Sequence, residues 1–145
     1  MSSKPTAPNG LDPLGWLLIV LGVLTLGNAL WMLAGPQHWY TDLPAAVPDT
    51  GPFNPHFVRD IGCAFLTTGV ALIWAARSLR FRLPLVSVAG LFLAAHAVLH
   101  FYDTVRGALG HDHWLLDLPG VYLPGILLPV IAIRLARADA DADAQ

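Results

Sequence analysis

Polar residues interrupt this chain at wide intervals and leave four apolar runs, each long enough to be read as a membrane-spanning helix. The first, about 14–34, carries no charge. The second, about 56–76, has Arg59 and Asp60 only in its opening turns. The third, about 83–102, is broken only by His96 and His100, and the fourth covers about 118–135. The pattern predicts an all-α fold, an integral membrane four-helix bundle formed by residues 1–137. Residues 138–145 alternate Ala and Asp and read as a disordered acidic cytoplasmic tail. The first run is longer than a signal-peptide core, and Ala34-Gly35-Pro36 is a poor cleavage context, so it is taken as a span.

The connections orient the bundle. Lys4 precedes the first helix, Arg77, Arg80 and Arg82 crowd the second connection, and Arg134 and Arg137 end the fourth helix. The first connection, about 35–55, has no Lys or Arg, and the third has only Arg106. Positive residues stay on the cytoplasmic side, which predicts cytoplasmic termini and two outward-facing connections at the periplasmic face of a bacterial inner membrane. Trp16, Trp74 and Phe81 fall near the inner interface, and Trp31, Trp39, Tyr40, Tyr102 and Trp114 near the outer one, as two aromatic belts. Pro36, Pro44, Pro48, Pro52 and Pro55 argue against regular helix in the first connection, which reads as a proline-rich loop able to cap the bundle. Asn54-Pro55 reads as the N-cap and first position of the second helix, and Asp117 as the N-cap of the fourth. Pro119, Pro124 and Pro129 should bend the fourth helix. His38-Trp39 before Leu43-Pro44 is echoed by His113-Trp114 before Leu118-Pro119.

Composition narrows the chemistry. A net charge of −2 gives no reason to expect a nucleic-acid partner. Cys63 is the only cysteine, which excludes an intrachain disulfide and a Cys-rich metal or cluster site. Two methionines are too few for a thioether copper(I) site.

The ionisable residues gather at the predicted outer ends of the helices, and such groups in or near a bilayer mark a functional site by default. His96, His100 and Asp103 have the i, i+4, i+7 spacing of one helical face, as do His56, Asp60 and Cys63 on the antiparallel second helix. Two stripes at matching depths predict a shared pocket. Imidazole and carboxylate suit zinc, iron, manganese or copper(II), so the expected ligands are His56, Asp60, His96, His100 and Asp103, supported by Arg59, His113 and Asp117. The function expected from this is a membrane protein with a His/Asp metal site at its outer face, in the catalytic version a metal-dependent oxidoreductase or hydrolase. The alternative is a non-enzymatic accessory subunit, or a sensor or carrier of protons or metal, with Arg59 pairing Asp103 or Asp117 in an ion-pair network. Haem ranks low, because no second axial ligand stands opposite His96. The expected partners are the lipid bilayer and a second copy or another membrane protein.

The stretch Gly51-Pro52-Phe53-Asn54-Pro55-His56-Phe57-Val58-Arg59-Asp60-Ile61-Gly62, the spacing His96-x-x-x-His100-x-x-Asp103 and Trp114-Leu115-Leu116-Asp117-Leu118-Pro119-Gly120 resemble a group of small bacterial four-helix inner-membrane proteins. In size and layout the chain is also similar to DoxX-like proteins. The resemblance implies the fold and no activity.

Overall fold

A computed structural model describes residues 10–144; Lys4, used above for orientation, and Gln145, the last residue of the tail, lie outside them. Four helices are long and apolar enough to cross a membrane: α1 (Pro13–Ala34), α3 (Pro55–Arg77), α4 (Leu79–Val105) and α6 (Leu123–Asp143). Short helices α2 (Pro36–Asp42) and α5 (His113–Leu116) lie in the two long connections. Large apolar side chains stay exposed along the long helices, among them Leu24, Val88, Leu91, Val98 and Ile126. Exposed apolar surface of this extent is uncommon on water-soluble bundles, and the length and composition of the four helices suggest a multi-pass membrane protein.

The long helices pack as two pairs, α1 with α3 and α4 with α6, and α3 against α4 joins them. Glycine sets the closeness of each pair. A Cβ on Gly69 of α3 would lie 2.9 Å from the Leu26 nitrogen and 3.0 Å from the Gly22 oxygen of α1. A Cβ on Gly125 of α6 would lie 2.8 Å from the Leu93 oxygen of α4. Such close backbone contact supplies van der Waals attraction within each pair, the kind of packing that small residues allow between helices.

At the end of the bundle away from the long connections, one cation ties three helices. Arg82, buried in the first turns of α4, donates from Nη1 to Asp12 Oδ2 at 2.6 Å and from Nη2 to Asp12 Oδ1 at 3.0 Å. It also donates to the carbonyls of Ala75 (3.2 Å) and Ala76 (3.1 Å) at the close of α3. Asp12 in turn caps α1 by accepting from the Gly15 N–H at 2.7 Å. This neutralisation explains why α4 begins at Leu79, earlier than the apolar pattern suggests, and why only Ser78 separates it from α3. The hydrogen bonds from Arg82 hold the Asp12 carboxyl below its ordinary 3.8, against an opposing push from burial. A lowered carboxyl stabilises the fold above its unfolded value, and that contribution is lost as pH falls through the folded value. Acid melting series in detergent should therefore show stability falling below the ordinary 3.8, with Asp12→Asn less stable at pH 6 and flatter on the acid side. Equal slopes for the two proteins would remove the clamp as a source of acid sensitivity.

Three local expectations are corrected. The first connection contains regular structure, α2 and a 3-10 turn at Val47–Thr50, because Pro36 and Pro48 sit in first turns, where a missing N–H is no loss. The fourth helix opens with a π turn, Leu118–Tyr122, in which the Tyr122 N–H reaches the Asp117 carbonyl at 3.1 Å. This accommodates Pro119 ahead of α6, while Pro129 lies inside α6. Past Arg137, α6 continues to Asp143 where an irregular tail was expected; alanine has the highest helix propensity, and the alternating segment extends a helix already nucleated.

Candidate functional site

Between the two helix pairs, at the end carrying α2 and α5, lies a cavity of about 750 Å³. Leu21, Leu24 and Met32 of α1, Phe57, Ile61 and Phe65 of α3, and Leu93 and Leu99 of α4 make its walls apolar. The first connection covers it. Trp39 of α2 donates from Nε1 to Asn28 Oδ1 of α1 at 2.7 Å, and the Tyr40 hydroxyl donates to the Gly51 carbonyl at 2.7 Å. Trp39 therefore faces the cavity and fixes the cap, a role beyond the interfacial anchoring expected of it. Asn28 thereby bonds across from α1 to α2.

The histidine and aspartate side chains enter from α4 and the segment after α5. His96, His100 and Asp103 line the cavity from α4, as their shared face predicts. The His96 ring meets Phe65 edge-on with centroids 5.7 Å apart, lies parallel to Phe92, and stands 4.6 Å from the His100 ring. His100 Nδ1 lies 2.8 Å from Asp117 Oδ2, and His113 Nδ1 lies 3.2 Å from the same oxygen. The Asp117 side chain is 1% exposed and that of His113 0%. A carboxylate so buried requires hydrogen-bond donors and a counter-charge, and the two imidazoles supply the first and can supply the second. Asp117 thus spends its side chain on histidines and does not cap the fourth helix with it. His113 Nε2 points towards Asp49 of the 3-10 turn at 3.6 Å.

His56 and Asp60 do not join this site. They pair with each other at 3.3 Å, with side chains 87% and 59% exposed, and neither lines the cavity. The cavity face of α3 is Phe57, Val58, Ile61 and Phe65; at about 100° per residue, positions 56, 60 and 63 fall on the opposite side. Arg59 donates to the Leu33 carbonyl at 3.3 Å, and Asp103 accepts from Arg106 at 2.8 Å, so the expected pairing of Arg59 with Asp103 or Asp117 is not formed. The expected ligand set of His56, Asp60, His96, His100 and Asp103 is accordingly split between two faces. Among the described residues no three His, Cys, Asp or Glu side chains are grouped to hold one metal ion. His113 and Asp117, expected only as support, form the centre of the cluster. Asp49 was missed, because an exposed acidic residue in a loop gives no signal in a sequence.

No family model matches the chain, and neither a curated protein nor a solved structure is significantly similar to it.

Proposed function

We propose that this protein binds one small, largely apolar molecule in the cavity between its helix pairs, and that His100 engages the molecule's polar end. The observation that carries this reading is a mostly apolar cavity of about 750 Å³ whose histidine and aspartate side chains, His96, His100, Asp103 and Asp117, come from α4 and the segment after α5. Small-molecule sites are commonly about 300–1,000 Å³, mostly apolar, with a few polar groups that fix orientation. The Asp117 carboxylate accepts from His100 Nδ1–H, which leaves Nε2 as the acceptor. A ligand hydroxyl is the matching donor. Asp117 would stabilise the imidazolium formed if that proton moved to His100, so the site suits a molecule that gives up or regains a proton. The Lys/Arg bias supports an outward-facing position for the cavity.

Native mass spectrometry of protein extracted in mild detergent tests this. One organic molecule per chain is expected, absent after Ile61→Trp fills the cavity and depleted after His100→Ala. His56→Ala and Asp60→Ala should retain it and change stability by less than about 0.5 kcal/mol, as for exposed residues generally. Stoichiometric metal that disappears with His96→Ala, with no organic molecule bound, would replace this reading by the metal centre expected from the sequence.

A further inference from the structure

His113 has no exposed surface, yet both its ring nitrogens face carboxylates. Nδ1 is 3.2 Å from Asp117 Oδ2, and Nε2 is 3.6 Å from Asp49 Oδ2 with no hydrogen-bond partner. A neutral imidazole carries one donor and one acceptor. Each neutral tautomer therefore aims a lone pair at one of the two carboxylates, and only the doubly protonated ring donates to both.

Asp49 is the part of this arrangement that can leave. Its side chain is 57% exposed, whereas that of Asp117 is 1% exposed. It rides on the Val47–Thr50 turn, whose Val47 and Thr50 line the cavity. Left-handed residues bound that turn, Ala46 with φ 47° and Gly51 with φ 141°. Tyr40 holds the Gly51 end through its hydroxyl, and the contact with His113 reaches the middle of the turn.

We propose that Asp49 and His113 form a proton-operated latch on the cap of the cavity. With a proton on Nε2, the imidazolium ties the turn to Asp117 in the bundle. When that proton leaves to water, Nδ1–H keeps the shorter contact with Asp117, the Nε2 lone pair faces the Asp49 carboxylate, and the turn is released. The cap closes at low pH and opens at high pH. The ionisable groups facing His113 are Asp49 from the turn, Asp117 at the end of its own segment, and His100 of α4 through the shared Asp117 oxygen. Its sequence neighbours His111 and Asp112 are exposed. The latch's use as a gate rests on the cavity being a binding site; its existence does not.

Hydrogen exchange read by mass spectrometry on the full chain in detergent tests the latch. The series spans about pH 5–9, where imidazole changes charge, with a chelator present and intrinsic exchange rates corrected. Residues 45–52 should exchange at least roughly tenfold more slowly at the acid end, the factor an ordinary charge-assisted hydrogen bond gives. Asp49→Asn should be protected at both ends of the series, because its amide can donate to the neutral ring. Asp49→Ala should be unprotected at both. Wild-type protection that ignores pH, or a wild-type response that survives in Asp49→Ala, would overturn the proposal. So would a response present only without chelator, since a metal ion would then be the bridge. A working latch over a cavity in which no molecule is found would refute the binding proposal and leave the latch standing.

Discussion

Asp117→Ala is expected to destabilise the protein by about 3–5 kcal/mol, the usual consequence of removing one partner of a buried charged pair. The substitution strands two imidazoles at once, since His100 and His113 both depend on Oδ2. His113 suffers more, because it is wholly buried and no water can replace the lost acceptor. Asp117→Asn keeps the shape and one acceptor, so it should fold with a smaller loss. It should retain the bound molecule, because the Asn carbonyl still accepts from His100 Nδ1–H and leaves Nε2 as the acceptor, and lose only the stabilisation of an imidazolium at His100. Thermal unfolding in detergent separates the variants, and the mass spectrum of each shows whether the cavity is filled. An Asp117→Ala protein that melts with the wild type would show that the carboxylate is not the buried partner of these rings.

The fold was largely legible because apolar run length depends on each segment by itself. Helix-break signals were legible where their context was local, as at Asn54-Pro55, where Asn54 Oδ1 accepts from the His56 and Phe57 N–H groups. They misled where tertiary partners intervened. Arg80 and Arg82 pushed the expected start of the third span to residue 83, and the structure buries Arg82 against Asp12, seventy positions away along the chain.

The site was half legible for a related reason. The i, i+4, i+7 spacing says which residues share a helical face and says nothing about where that face points. For His96, His100 and Asp103 it points into the cavity; for His56 and Asp60 it points away. The apolar residues of α3 held the missing information. Phe57, Ile61 and Phe65 mark the inward side by their own period, and they exclude position 60 from it. The His-Trp echo was also informative in a way its shortness concealed. It falls on α2 and α5, the short helices within the two long connections. The two pairs diverge in their settings, for His38 is exposed and accepts from Trp31 Nε1 while His113 is buried against Asp117. That divergence puts the buried charge on one side of the cavity only.

Gly69→Ala is expected to break the α1–α3 pair and, with it, the cavity. A new Cβ would sit 2.9 Å from the Leu26 nitrogen and 3.0 Å from the Gly22 oxygen, both backbone atoms. No rotamer change relieves such a contact, so the helices must separate. Overpacking of this kind costs about 1–3 kcal/mol even where side chains can adjust, and the upper end applies here. Separation would also carry Leu21, Leu24 and Met32 of α1 away from Phe57 and Ile61 of α3, which together make one wall of the cavity. Gly125→Ala should do the same to α4–α6, with a Cβ 2.7 Å from that of Ala97 and 2.8 Å from the Leu93 oxygen. Gly27→Ala is the control: the position is helical and meets nothing within 4 Å, so it should lose no stability and gain up to about 1 kcal/mol from helix propensity. Melting curves and gel filtration in one detergent compare the three. If Gly69→Ala behaves as Gly27→Ala does, the close approach of α1 to α3 does not hold the pair together, and the cavity owes its shape to the capping connections instead.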